Sequence, residues 1–157
     1  MPLTDGFSHI ATMTDDVDRL IAFYDRVFDA AVMFDMEEEG MRHAAIDVGN
    51  GLVLHAFHVP WATRDDRRGM FERGRIDHYG LTVASVDALL EVRRRLEAEG
   101  DAVTDGEIRD FGPVYSLHFV DPDGVHLEVN LFKESWGSQP VLPRAEWTVV
   151  DLEATPA

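Results

Sequence analysis

Two stretches of the chain repeat apolar residues at the spacing of an amphipathic helix. The first covers residues 16–28, and the second extends from about 85 to 98. Three residues precede the apolar positions of the first stretch as candidate N-caps, Thr14, Asp15 and Asp16, and Gly100 follows the second as a candidate C-cap. The pattern therefore predicts two helices of three to four turns.

Strand patterns surround each predicted helix in the same order. A short apolar strand precedes each helix, at about residues 7–13 and 76–83, and alternating segments follow it. Asn50-Gly51 in the first half, and the segment 121–124 in the second (Asp-Pro-Asp-Gly), are residues that suit tight hairpin turns. Both halves thus predict strand, helix, strand, strand, strand.

The two halves align with each other as an internal repeat. His78 follows His9 by 69 residues (78 − 9), and several apolar positions of the two helices match at the same offset. Alignment of the last hairpins by their turn glycines shifts the offset to 73 and pairs His55 with Glu128 (128 − 55). The sequence therefore predicts an α+β protein built from two tandem βαβββ modules.

The repeat also divides the chain into segments. The first module covers residues 5–59 and the second covers 76–132, with a polar, Arg-rich linker at 60–75 between them. A tail with several prolines occupies 133–157, and its pattern leaves open whether it lies over the domain or covers a pocket.

Composition limits the classes of partner. The formal charge of −16 repels nucleic acid and anionic membrane surfaces and suits a small-molecule, metal or cationic partner. No apolar run approaches the roughly 18 residues that span a bilayer, and the N-terminal residues do not resemble a signal peptide. We therefore expect a cytoplasmic protein without nucleic-acid or membrane partners. Because there are no cysteines, any metal ligands must be His, Asp or Glu.

The repeat places four ligand-type side chains at two pairs of equivalent positions. His9 and His78 share a position in the first strands, and His55 and Glu128 share one in the last strands. Three imidazoles and one carboxylate suit a divalent metal ion such as Zn, Fe, Mn, Ni or Co. Strand parity adds His126 and Asn130 to the face of Glu128, which predicts a cavity for a small organic ligand.

Three segments resemble the vicinal oxygen chelate superfamily, which includes glyoxalase I, extradiol dioxygenases, fosfomycin-resistance transferases and bleomycin-binding proteins. They are "HIATMTDDVDRLIAFYDRVF", "DHYGLTVASVDALLEVRRRLEAEG" and "VDPDGVHLEV", within residues 5 to 132. The resemblance implies a curved mixed sheet around a central cavity with a metal ion, and a homodimer that completes the pocket. Its metal positions fall on the same four residues, His9, His55, His78 and Glu128.

The resemblance leaves the chemistry open between two enzyme types and a binding protein. His55 stands where glyoxalase I usually has Glu or Gln, and His118 stands near the position of a dioxygenase Tyr. We interpret Glu128 and His118 as candidate catalytic groups for lyase, isomerase or dioxygenase chemistry, since imidazole titrates near neutral pH. The alternative is an acidic, non-catalytic protein that sequesters a cationic molecule such as a bleomycin-type antibiotic.

Overall fold

A computed structural model describes residues 8–62 and 76–154. The chain divides by its internal contacts into two compact units, with the boundary after Arg67. Most of the predicted linker, at 63–75, lies outside the described residues. Among the described helices, none is long and apolar enough to cross a membrane.

The first unit contains a mixed four-stranded sheet and one helix. Its elements in chain order are β1 (His9–Met13), α1 (Val17–Phe28), β2 (Ala31–Glu38), β3 (Met41–Asp47) and β4 (Val53–His58). The sheet order is β1-β4-β3-β2, with β1 parallel to β4 and the other pairs antiparallel. This is the predicted βαβββ order.

The second unit repeats this order and adds a short strand from the tail. Its elements in chain order are β5 (Tyr79–Thr82), α2 (Val86–Glu99), β6 (Ile108–Asp110), β7 (Val114–Val120), β8 (His126–Phe132) and β9 (Thr148–Val149). The sheet order is β5-β8-β7-β6-β9, again with a parallel β5–β8 pair. The prediction of an α+β fold with two tandem modules is confirmed.

Capping and turn residues explain why the elements begin and end where they do. Asp16 accepts a hydrogen bond from the Arg19 backbone N–H, and Ser85 caps α2 in the same way through Ala88. In the turn before β4, Asn50 and Gly51 have φ angles of 52° and 79°, which match a type I′ hairpin turn. The sequence therefore places both helix starts to within one residue.

Each helix packs its apolar face against the sheet of its own unit. In the first unit the buried helix residues include Leu20, Phe23 and Tyr24. In the second they include Leu89 and Leu96. Side chains of about this size stabilise a fold by about 1.5 to 3 kcal/mol each when fully buried. Each sheet is thus held rigid on its helix side, which gives the polar side chains on its strands a fixed frame.

The two parallel strand pairs have the same register. In the first unit Ala11, two residues after His9, is opposite His55. In the second unit Gly80, two residues after His78, is opposite Glu128. Each unit therefore relates its two predicted ligand positions in the same way, as the internal repeat requires.

Candidate functional site

His78 and Glu128 face each other in the second unit. His78 directly precedes β5, and Glu128 lies in the middle of β8, which pairs with β5. His78 Nε2 is 3.6 Å from Glu128 Oε1. The other ring nitrogen, Nδ1, lies 2.9 Å from Asp77 Oδ2. Because a carboxylate only accepts hydrogen bonds, Nδ1 is the donor in this contact, and Nε2 is the ring nitrogen that faces Glu128.

This arrangement fits a metal ion. His78 Nε2 faces a carboxylate oxygen of Glu128, and their separation of 3.6 Å exceeds hydrogen-bond distance. A nitrogen and a carboxylate oxygen at this separation can both bind one cation placed between them. When two atoms bind the same metal ion with bonds of about 2.0 to 2.2 Å, they lie about 3 to 3.5 Å from each other. A carboxylate behind the imidazole, as Asp77 is here, is the usual outer partner of a metal-binding histidine.

Two neighbours from β7 contact the other oxygen of Glu128. The Ser116 hydroxyl, which is fully buried, donates a hydrogen bond of 2.7 Å to Glu128 Oε2. His118 Nε2 lies 3.7 Å from the same oxygen. The antiparallel register, with His118 opposite Glu128 and Ser116 opposite Asn130, brings these groups to one face. Glu128 is therefore held on one oxygen and directed at His78 with the other.

The environment keeps the His118 imidazole neutral. Burial lowers the pKa of His118 below its ordinary value, Arg109 and His78 lower it further, and Glu128 and Asp105 act against the shift. Arg109 itself is paired with Asp105 and Glu107, at 2.6 and 2.7 Å. At neutral pH His118 can thus accept a proton.

Gly80 makes room for the acidic ligand. A Cβ atom at this position would lie 2.7 Å from Asn130 Nδ2 and 3.4 Å from Glu128 Cγ. Any larger residue would therefore displace one of these two side chains. Neither Gly80 nor Ser116 can be recognised as part of the site from sequence, since the pattern of a single strand does not show which side chain lies opposite.

In the first unit the two predicted ligands, His9 and His55, lie on adjacent strands, but His55 forms a hydrogen bond with a third histidine. The ring centroids of His9 and His55 are 6.0 Å apart. His55 Nε2 shares a 2.9 Å hydrogen bond with His43 Nδ1. Burial lowers the pKa of His55, and the neighbouring His43 and His9 lower it further. His43 is half-buried and directly contacts His55.

Within residues 8–62 and 76–154, no group of three or more His, Asp or Glu side chains is arranged as a metal-binding cluster. The structure thus places the predicted ligands as two pairs, one in each unit. Their assignment as a metal site stays a prediction.

The second unit contains a cavity of about 680 Å³ around its pair. Its polar lining includes His78, His118, His126, Glu128 and Asn130, as strand parity predicted for the last three. Its apolar lining comes from the sheet and from the tail: Phe111, Phe132, Trp136, Val141 and Trp147. The tail therefore forms part of a cavity wall, which the sequence had left undecided.

A protein-family model matches most of the sequence. It describes the Glyoxalase/Bleomycin resistance protein/Dioxygenase superfamily and matches residues 6–129. The chain belongs to this superfamily. The resemblance inferred from the sequence is thereby confirmed. The matched region ends within β8, so the tail lies outside it.

Solved structures of this superfamily have the same fold. A glyoxylase/bleomycin resistance protein/dioxygenase domain from Frankia sp. EAN1pec is 22% identical, with a TM-score of 0.70, over 83% of this chain and 94% of that one. A FosX mutant from Listeria monocytogenes, in complex with Mn(II) and 1S,2S-dihydroxypropylphosphonic acid, is 18% identical, with a TM-score of 0.61, over 81% and 92%.

Lactoylglutathione lyase from Agrobacterium tumefaciens is 22% identical, with a TM-score of 0.59, over 87% of this chain and 99% of that one. At these identities the likeness concerns the fold alone. No curated protein sequence matches the chain.

Proposed function

We propose that this protein is a metal-dependent enzyme of the glyoxalase type that acts on a small organic substrate through two neighbouring oxygens. The observation that carries the proposal is the His78–Glu128 pair, whose imidazole Nε2 and carboxylate Oε1 face each other at 3.6 Å inside a cavity. The complex of the FosX relative with Mn(II) and a dihydroxypropylphosphonic acid supports the same chemistry.

The proposed ligands are His9, His78 and Glu128, with His55 as the fourth. His9 and His55 enter through the internal repeat, whose register is the same in both units. His55 can use Nε2 only if the hydrogen bond to His43 is released. A divalent ion held by these groups would supply positive charge that binds two substrate oxygens and stabilises the anion that develops between them.

The residues of the chain supply proton transfer and orientation. His118 Nε2, neutral at pH 7 and on the cavity surface, accepts a proton from the substrate carbon or hydroxyl. The Ser116 hydrogen bond holds one Glu128 oxygen, so that the other stays directed toward His78. In this proposal Glu128 binds the metal ion and His118 accepts the proton. This assignment of roles is compatible with lyase, isomerase and dioxygenase chemistry.

Metal binding tests the proposal directly. We expect protein purified without chelators to bind one Mn(II) or Zn(II) per chain in calorimetric titration. His78→Ala and Glu128→Gln should each weaken binding by more than about 100-fold, above the 10- to 100-fold typical of outer-sphere changes. His126→Ala is the matched control, since His126 lines the same cavity but is not one of the proposed ligands. Equal affinities in all four proteins would refute the metal site.

Oxygen dependence separates the two enzyme types. With the metal-loaded protein, deuterium incorporation into a hydroxyketone substrate without O₂ indicates isomerase or lyase chemistry. Oxygen uptake with Fe(II) and a catechol indicates dioxygenase chemistry. His118→Gln should remove the exchange and leave the metal stoichiometry unchanged.

The second candidate function is an acidic binding protein, which the formal charge of −16 favours. Such a protein would bind a cationic glycopeptide such as bleomycin without metal, and with the same affinity in His78→Ala. Metal-dependent turnover together with absence of bleomycin binding would exclude it.

A homodimer is also part of the proposal. The edge strand β2 is exposed along its whole length and carries several large apolar side chains: Val32, Met33, Phe34 and Met36. Light scattering should give a particle of about twice the chain mass of 17.7 kDa.

A further inference from the structure

The tail of the chain gives the second-unit cavity an aromatic wall. Trp147 packs against Phe111 with ring centroids 4.2 Å apart, and Trp136 packs against Phe132 at 4.3 Å. All four rings line the cavity that contains His78 and Glu128. Trp136 and Trp147 lie beyond the region that the superfamily model matches.

Main-chain hydrogen bonds hold this wall in place. Leu142 N–H donates to the carbonyl of Phe111 at 2.9 Å, and the Trp147 indole donates to the carbonyl of Leu142 at 2.8 Å. β9 then pairs with β6, with Arg109 opposite Val149. The tail is thus tied to the sheet on both sides of the cavity wall, and the Trp147 indole has a defined orientation.

The wall leaves aromatic surface uncovered. Exposed fractions are 51% for Trp136, 42% for Phe132 and 37% for Trp147. Exposed apolar surface of this extent is unfavourable in water, and it is covered when a ligand binds. Flat, polarisable rings gain most from another ring, because edge-to-face and offset contacts add to the burial of area.

One cation of the cavity wall is available for an anion. Arg109 is already paired with Asp105 and Glu107. Arg144, which also lines the cavity, makes no ion pair with any residue of the described ranges, and its guanidinium lies 5.9 Å from the Trp147 ring. An Arg guanidinium beside an aromatic ring is suited to bind a carboxylate or a similar planar anion.

We propose that the tail makes this cavity a binding site for an aromatic compound that carries an anionic group. The ring lies against the tryptophans of the tail, and the anion pairs with Arg144. The inference rests on the proposed function, because the same cavity contains the proposed metal ligands His78 and Glu128. It names the substrate class: an aryl carboxylate or related aryl anion with vicinal oxygens.

Three probes separate the two parts of the proposal on metal-free protein. 2-Naphthoate has both the ring and the charge, 2-naphthol has the ring alone, and cyclohexanecarboxylate has the charge alone. In calorimetric titration we expect 2-naphthoate to bind about tenfold more tightly than 2-naphthol, as a charge-assisted contact predicts. We expect it to bind about three- to tenfold more tightly than cyclohexanecarboxylate, as aromatic pairing predicts.

Paired variants assign each preference to its residue. Arg144→Gln should abolish the preference for naphthoate over naphthol, with Arg94→Gln on the exposed side of α2 as the control. Trp147→Leu should abolish the preference for naphthoate over cyclohexanecarboxylate, with the exposed Trp61→Leu as the control. Circular dichroism of each variant checks that the fold is retained.

The proposal is overturned if 2-naphthoate fails to bind with and without Mn(II), or if both variants keep the preferences of the unmodified protein. It is also overturned if Trp147→Leu changes the oligomeric state and not the affinities, because the wall would then be a contact between copies. Metal stoichiometry is measured separately on the same preparations. A protein that binds naphthoate but no metal contradicts the proposed function alone, and one that binds metal but no naphthoate contradicts this inference alone.

Discussion

Ser116 shows how one buried hydroxyl can control the candidate site. Its hydrogen bond to Glu128 Oε2 is the shortest contact of that carboxylate with a described residue, and it leaves Oε1 directed toward His78. Without this hydrogen bond the Glu128 carboxylate can rotate, and metal binding must then restrict that rotation at a cost in affinity. We expect Ser116→Ala to lower Mn(II) affinity about 10- to 100-fold, as other outer-sphere changes do.

Calorimetric titration of Ser116→Ala against an exposed serine control, Ser138→Ala, measures this effect. An unchanged affinity in Ser116→Ala, together with a large loss in His78→Ala, would show that Glu128 needs no support from the hydroxyl.

His43 forms a hydrogen bond with His55 Nε2, the nitrogen through which His55 would bind a metal ion in the proposed site. Its Nδ1 bonds His55 Nε2, while its own Nε2 is buried without a hydrogen-bond partner in the described structure. The His43 ring stacks on Phe57 with an interplanar angle of 6°, so a phenyl ring can replace it. We expect His43→Phe to raise the thermal midpoint, because an unsatisfied polar atom costs about 1 to 3 kcal/mol.

The same variant should bind Mn(II) about two- to tenfold more tightly, as release of one hydrogen bond predicts. Calorimetric titration and thermal unfolding test both effects, with His43→Gln as a control that keeps a polar side chain. A lower metal affinity in His43→Phe would show instead that His43 orients His55 for binding.

At the scale of elements, the N-cap of α1 is a local feature whose effect can be measured. The Asp16 carboxylate accepts a hydrogen bond of 3.0 Å from the Arg19 N–H, at the first turn of the helix. Its removal leaves that N–H without its cap. We expect Asp16→Ala to lower the free energy of unfolding by about 1 kcal/mol, and the midpoint by about 2 to 4 °C.

Asp15→Ala is the matched control, because Asp15 stands next to the cap residue and makes an exposed ion pair with Arg19 one turn along. Urea unfolding of the two variants should show the larger loss for Asp16. Equal losses would mean that charge near the helix start, and not the cap, carries the effect.

The helices and strands show which kinds of element can be predicted from a single sequence. Both helices and the βαβββ order were predicted correctly, because helical spacing, caps and tight turns are signals within a few residues. β9 was missed, since a two-residue strand has no period of its own and depends on pairing with β6. β5 is shorter than predicted and begins after His78, so this candidate ligand precedes the strand while His9 begins one.

For the whole molecule, the excess of acidic groups should draw metal ions toward the protein. A field from a formal charge of −16 raises the local concentration of a dication, and salt screens that field. We expect Mn(II) affinity to fall between about 10 mM and about 150 mM NaCl, as the Debye length shortens from about 30 Å to about 8 Å.

The same titration in choline chloride separates screening from competition by Na⁺. An affinity independent of both salts would mean that only the ligands in contact with the metal set its binding. A drop in NaCl alone would indicate a competing sodium ion.

Patterns within the sequence are sufficient to predict the duplicated βαβββ order, the two helices and the equivalence of His9 with His78 and of His55 with Glu128. These follow from local periodicity and from comparison of one half of the chain with the other. Three contacts are visible only in the folded chain: Ser116 holds Glu128, His43 forms a hydrogen bond with His55, and the tail lines the cavity with Trp136, Trp147 and Arg144. Strand register and the packing of the tail decide which side chains meet in these contacts, and the periodicity of a single segment does not contain that information.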